Sequence, residues 1–178
     1  QALSKYLRLS LSKGNDIVTV ADELENVRSY LQIQEMRYRD ILEYDIQLDQ
    51  VIYKYQILKL TLQPVVENAL YHGIKESEEY HGTIWIRAFS EENEAFVLVV
   101  EDDGAGMSEE KMEQLNSWLK MKERDSKVEA YGILNVNDRI KIAYGDEYGL
   151  HYEKRTGGGT IAVVRLKKVH KEDVCGKC

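Results

Sequence analysis

The chain has 178 residues, of which 43% are hydrophobic and 31% charged, with a formal net charge of −7 and a pI near 5.2. That size and apolar share support one folded domain with a buried core, whereas the acidic balance excludes the basic patch that non-specific binding to nucleic acid or anionic membrane requires. No apolar run approaches the ~20 residues of a bilayer-spanning helix, and no signal-peptide stretch follows Gln1.

Residues Ala2 to Leu11 read as the end of a helix, with Leu3, Leu7 and Leu11 at four-residue spacing and Gly14 as its stop; more chain is expected before Gln1. Thr19 can cap a second helix, with Asp22 at the offset of a capping pair. Its seam of Val20, Leu24, Val27 and Leu31 runs to about Arg39 and suits either a partner helix or the domain itself. Tyr44 to Leu48 alternates as a strand, and Ile57 to Leu60 is a second short extended candidate.

The segment L-Q-P-V-V-E-N-A-L-Y-H-G, Leu62 to Gly73, predicts a short helix opened by Pro64 and closed by Gly73 in a left-handed C′ conformation. On a 3.6-residue wheel Val65, Val66, Ala69 and Leu70 share one face, and Glu67, Asn68, Tyr71 and His72 the other. Thr83 to Ser90 alternates strictly, with Ile84, Ile86 and Ala88 on one side. Ala95 to Val100 is nearly all apolar, the pattern of a strand in mid-sheet, and it runs into E-D-D-G-A-G.

Ser108 caps a helix striped by Met112, Leu115 and Leu119. Lys120 to Ala130 reads as a mobile, charged loop. Gly132 opens a helix with Ile133, Val136, Ile140 and Ala143 inward, closed by Gly145, and Leu150 to Arg155 and Thr160 to Lys168 pair through Gly157, Gly158 and Gly159. Connections this short exclude parallel crossovers at the hairpin. The expected fold class is therefore α+β: a two-layer α/β sandwich with a mixed, mostly antiparallel sheet and helices on one face, preceded by a helical linker. Cys175 and Cys178 could form half of a zinc site with His170 as a distant ligand, or lie in a disordered polar tail.

Several of these residues suit a site. Asp102 ends a buried strand at a glycine turn, so its sheltered carboxylate can accept from an amino group such as that of adenine, with Gly104 and Gly106 letting backbone approach a flat ring; the alternative is an acidic β-turn. Gly132, Ile133 and Leu134 form a helix N-terminus that suits phosphate or is an ordinary helix start. Asn68 offers a hard oxygen for Mg²⁺, and Glu67 could order or deprotonate a metal-bound water. His72 is either a site residue or a capping histidine.

In order, E-L-E-N-V-R-S-Y-L-Q-I-Q-E-M-R-Y (Glu23 to Tyr38), L-Q-P-V-V-E-N-A-L-Y-H-G, D-D-G-A-G-M (Asp102 to Met107), G-I-L-N-V-N-D-R-I (Gly132 to Ile140) and G-G-G-T resemble the GHKL ATPases, whose fold is the Bergerat fold, and among them sensor histidine kinases of the LytS/YesM type. The resemblance spans about Leu3 to Leu166. It implies ATP and Mg²⁺ as cofactors: Asn68 coordinates the metal between the phosphates with Glu67 beside it, and Asp102 receives adenine's amino group in a pocket shaped by Gly104, Gly106, Met107, Gly159 and Thr160. His72 falls with the nucleotide-binding residues, residues 116–131 form a lid, and backbone near Gly132, Ile133 and Leu134 meets phosphate; Asn135 and Arg139 match family positions without an assigned role. Tyr71 stands where many members have lysine, Ala130 where a first lid glycine is usual, and Asp103 where asparagine is common.

The resemblance divides the chain into residues 1–13, the end of a dimerisation-region helix; 14–40, linker and helix; 41–168, the ATPase domain; and 169–178, a disordered tail. It implies a protein-histidine kinase fragment without its phospho-acceptor, since His72, His81, His151 and His170 all lack the acceptor setting. The partners implied are an upstream dimerisation and phospho-acceptor domain, a response regulator, and a second copy in a full-length homodimer, with no nucleic acid; the fragment would be cytoplasmic and the full-length protein in the cell membrane. The competing expectations are a conformational ATPase, in which Glu67 activates water, and a nucleotide-binding module without catalysis.

Overall fold

A computed structural model describes residues 16–37, 41–77, 81–92, 94–121 and 130–171. Its strands are β1 (Ile17–Thr19), β2 (Leu42–Gln47), β3 (Gln56–Leu58), β4 (Gly82–Ser90), β5 (Ala95–Asp102), β6 (Gly149–Lys154) and β7 (Thr160–Lys167). The helices are α1 (Val20–Arg37), α2 (Gln63–Asn68), α3 (Glu109–Lys120) and α4 (Tyr131–Tyr144).

Period-two alternation builds the sheet, in the order β2-β4-β5-β7-β6. Only β2 runs parallel to its neighbour β4; the other pairs are antiparallel. Ile84 and Ile86, Leu98 and Val100, and Ala162 and Val164 bury one face under the helices, while Trp85, Val99 and Val163 remain half-buried on the other. Each fully buried apolar side chain contributes roughly 1.5–3 kcal/mol, so the central strand β5, with Phe96, Leu98 and Val100 all buried and a hydrogen-bonded neighbour on each side, is firmly anchored. Its last residue is Asp102.

The α1 seam docks on the domain, with Val20, Leu24, Val27 and Leu31 all buried in its core. Thr19 and Asp22 form the expected capping box: the Asp22 amide donates to Thr19 Oγ1 (3.0 Å) and the Thr19 amide to Asp22 Oδ2 (3.3 Å). Strand β1, unforeseen from sequence, pairs antiparallel with β3 and brings the start of α1 beside the loop that enters α2. Arg39, the expected end of this helix, lies outside the described residues, as do residues 1–13, Gly14, most of the 120–130 loop, Cys175 and Cys178.

Two local expectations are corrected. Gly73 is not a left-handed helix stop: its φ is −89°, and the backbone runs past it, from a π turn over Ala69–Gly73 into a 3₁₀ turn over Ile74–Glu76. Ala143 is exposed, and Leu134 and Asn137 join Ile133, Val136 and Ile140 on the inner side of α4. Asn137 compensates for its polarity by donating to the Leu119 carbonyl and accepting from the Leu150 amide, both at 2.9 Å.

Candidate functional site

Asp102 is only 3% exposed. Burial pushes its carboxyl up to about 6; the amides of Gly104 and Thr160 and the Arg155 guanidinium oppose the rise, and the Asp103 charge adds to it. Gly104 N–H lies 3.0 Å from Oδ1. The result is a fixed acceptor that is ionised at neutral pH at the expense of the apo fold, the state expected of a carboxylate awaiting a donor.

The walls around it are backbone. A Cβ on Gly73 would stand 2.5 Å from Asp102 Oδ1, one on Gly104 would overlap the Gly73 backbone, and one on Gly159 would overlap the Asp102 carbonyl. The Ala105 amide donates to the Gly73 carbonyl at 3.0 Å, sealing the turn after β5 against the end of α2. Glycine is thus required here by close approach, of Gly73 to the Asp102 carboxylate, of Gly104 to the Gly73 backbone and of Gly159 to the Asp102 main chain. Gly106 (φ +70°) completes the turn against Gly159. Thr160 pairs with Asp102 across β5 and β7 and is buried, and Met107 packs against the edge of the core.

Glu67 and Asn68 are half-buried on α2. Glu67 Oε1 accepts from Gln63 Nε2 at 2.8 Å. Asn68 has no side-chain partner among the described residues. Five residues on from Asn68, about 7 Å along a helix axis, Gly73 touches Asp102, so one segment links the two. His72 is exposed and turned to Glu76, its Nδ1 2.9 Å from Oε1. Tyr71 lies under the Lys75 ammonium, 3.8 Å from its ring centroid, so a cation stands on the residue that replaces the family lysine.

At the start of α4, Gly132 is exposed, while Ile133 and Leu134 bury their side chains in the core. Only the backbone amides of Gly132 and Ile133 could meet a ligand there: contrary to expectation, the Leu134 amide is taken up by the Ala130 carbonyl at 3.0 Å, and Ala130 provides no side-chain cap. Arg139 donates to the Lys59 carbonyl at 2.8 Å, tying α4 to the approach to α2. Asp103 turns away from Asp102 to accept from the Thr83 amide at 2.6 Å. Of residues 116–131, the segment expected as a lid, 116–120 belong to α3, where Asn116 brackets the Tyr152 backbone; residues 122–129 lie outside the described residues.

Sequence reasoning missed three contributors. Gly73 was given a turn conformation when its role is clearance for Asp102. Tyr152, fully buried, keeps its hydroxyl without a partner among the described residues, and burial together with the Asp102 charge pushes its phenol upward. The third is a polar cluster of Glu23, Asn26 and Gln63 on the inner side of α1. A polar residue recurring on an otherwise apolar seam was the only available signal.

Asp102 and the glycines packed around it form a cradle for one buried acceptor beside the end of α2, which carries a carboxylate at Glu67 and an amide at Asn68. Residues 57–170 match the family described as "Histidine kinase-, DNA gyrase B-, and HSP90-like ATPase", and residues 1–42 match "Histidine kinase". Sensor histidine kinase YesM of Bacillus subtilis is 29% identical over 93% of this chain and 26% of its own length. For sensor histidine kinase BtsS of Escherichia coli K12 the figures are 31%, 93% and 27%, and for sensor protein kinase HptS of Staphylococcus aureus USA300 they are 30%, 93% and 31%. The chain therefore spans about a quarter to a third of these relatives. The catalytic domain of histidine kinase ThkA has the same fold, with a TM-score of 0.61 at 14% identity over 87% of this chain and 97% of that one. Full-length ShkA in complex with AMPPNP gives 0.61 at 12% identity over 95% and 35%.

Proposed function

Because the chain belongs to the family of histidine kinase-, DNA gyrase B- and HSP90-like ATPases, we propose that it is the ATP-binding, phosphoryl-donating domain of a two-component sensor histidine kinase. The observation that carries this reading is the buried Asp102 carboxylate, a charged acceptor packed against the Gly73 backbone and bonded by the Gly104 amide. At neutral pH it accepts the N–H of adenine's exocyclic amine, and Gly104, Gly106, Met107, Gly159 and Thr160 bound the ring. The residues present fit Mg-ATP: Asn68 has an amide oxygen uncommitted among the described residues, and the first amides of α4 are aligned with a helix dipole that favours phosphate.

Bound Mg²⁺ would neutralise phosphate charge during transfer. Asn68 holds the metal side of the site, Glu67 is the carboxylate that receives or orients a proton, and the backbone amides of Gly132 and Ile133 meet the phosphates. His72 stands exposed on the π turn that follows α2. The acceptor is a histidine upstream of this chain, in a dimerisation domain of a homodimeric protein, and a response regulator receives the group next. The domain works in the cytoplasm and its full-length protein is anchored in the membrane; among the described residues no helix is long and apolar enough to cross one.

The test combines the chain, the segment encoded upstream of it and γ-labelled Mg-ATP. Label on an upstream histidine, lost with Asn68→Ala and with Asp102→Ala, is the expected result. Nucleotide binding by calorimetry with no label on histidine refutes the kinase reading, and phosphate release abolished by Glu67→Ala would replace it with a conformational ATPase.

A further inference from the structure

Helix α1 reaches the proposed catalytic carboxylate through buried hydrogen bonds. Glu23 and Asn26, 2% and 3% exposed, lie three residues apart on one face of α1. Glu23 Oε2 accepts from the Leu60 amide and Oε1 from the Leu62 amide, both at 3.0 Å. These are the backbone groups leading into α2, and Leu60 itself holds a positive φ of 58°, a conformation a bulky residue adopts only where its surroundings enforce it. One face of α1 thus clamps the entrance of the helix that bears Glu67 and Asn68.

From the same face, Asn26 Nδ2 donates to Gln63 Oε1 at 2.9 Å, and Gln63 Nε2 donates to Glu67 Oε1 at 2.8 Å. The direction of this chain is forced. An ionised carboxylate only accepts, so Gln63 must show its NH₂ to Glu67; its oxygen then faces α1, and Asn26 must answer with its own NH₂. Gln63 is 8% exposed, so water does not readily substitute for either partner.

We propose that Asn26 and Gln63 are positioning residues for Glu67, forming a relay by which helix α1 sets the orientation of that carboxylate. The inference rests on the kinase reading for the role of Glu67 and on the hydrogen-bond chain alone for the coupling. Turning α1 by one residue, about 100°, removes Glu23 and Asn26 from α2 together. A movement of α1 is then felt at Glu67 while Asp102, on β5, keeps its hold on the base.

Asn26→Asp presents an acceptor to Gln63, which must flip its amide and turn its oxygen on Glu67; Gln63→Met keeps the length and burial but removes both hydrogen bonds. In the labelled Mg-ATP transfer assay each variant should slow transfer about tenfold, with the Kd for Mg-ATP within about twofold of the parent chain. In the chain alone, Glu67→Ala should shift the side-chain amide NMR signals of Asn26, two hydrogen bonds away. A parental transfer rate in both variants, with Glu67→Gln inactive, overturns the relay and leaves the kinase reading intact. A lowered melting temperature with transfer per folded molecule unchanged, or Asn26 signals unmoved by Glu67→Ala, also overturns it. A fully active Glu67→Gln removes the role of Glu67 and the relay with it.

Discussion

Replacing Asp102 by asparagine should stabilise the apo protein while weakening its hold on the nucleotide. Burial raises this carboxyl from 3.8 to about 6, so the folded state binds its proton more tightly than the unfolded chain does. The sign follows: the folded form is least penalised below the unfolded value, loses stability as pH rises from about 4 to 6, and carries the whole penalty above that. Two pKa units are worth about 3 kcal/mol. Asparagine removes the charge and can keep the bond from the Gly104 amide, but its NH₂ cannot accept from the Thr160 amide, which returns about 1 kcal/mol or more. The expected net gain at pH 7.5 is roughly 1–2 kcal/mol, or about 2–8 °C in Tm for a domain of this size. At pH 4, where the parent carboxyl is already largely protonated, no gain remains. Nucleotide-free thermal melts of both proteins from pH 4 to 8 read this directly, and calorimetry should show Mg-ATP affinity at pH 7.5 reduced at least about tenfold by loss of a charged acceptor. A variant that melts below the parent at pH 7.5, or a difference between the two that is the same at pH 4.5 and 7.5, refutes the account.

Gly73→Ala places a Cβ 2.5 Å from Asp102 Oδ1; the carboxylate must turn off the Gly104 amide, and Mg-ATP affinity should fall at least about tenfold with the circular dichroism spectrum retained. Glu23→Ala leaves the Leu60 and Leu62 amides without their acceptor and should cost about 3 kcal/mol in urea unfolding, with Glu23→Gln costing less because it keeps an acceptor. Asn137→Ala strips both the Leu119 carbonyl and the Leu150 amide of a partner inside the core and should cost about 2–4 kcal/mol by the same measurement. Ile142→Lys, at a residue 87% exposed, should change stability by less than about 0.5 kcal/mol.

The inward residues of β4 were readable from sequence because strict alternation reports burial directly, the hairpin of β6 and β7 because three glycines mark its turn, and the Thr19–Asp22 capping pair because its chemistry is local. Strand β1 was not, since a three-residue strand has no period to detect. The cradle was readable in part. Asp102 and its glycine turn are contiguous, so D-D-G-A-G announced them, but the clearance at Gly73 depends on a backbone 29 residues earlier in the chain. Gly73 was accordingly given the commonest reason for a glycine after a helix, a positive φ, when the actual reason is contact. Glu23 and Asn26 looked like ordinary polar positions on an amphipathic helix, because the groups they satisfy, at Leu60, Leu62 and Gln63, are 37 to 39 residues away.

Those long-range contacts matter because α2 is only six residues long. A helix of that length has no stability of its own, since the cost of nucleating it is not recovered by its few internal bonds; its direction must be imposed at its ends. At the front, α1 supplies a buried carboxylate and an amide, and Leu60 absorbs the strain of the entry. At the back, the π turn over Ala69–Gly73 widens the coil and presses Gly73 against Asp102 and Gly104, in keeping with the habit of π segments to occur where function demands an irregular backbone. Glu67 and Asn68 sit between these two clamps. The rear clamp belongs to the central strand of the sheet, paired on both sides, whereas the front clamp belongs to a helix that packs on the domain through one face. Mechanical input from upstream, entering at Gln63, would therefore reach the proposed catalytic pair at the end of α2 before it reached the proposed base-binding carboxylate on β5.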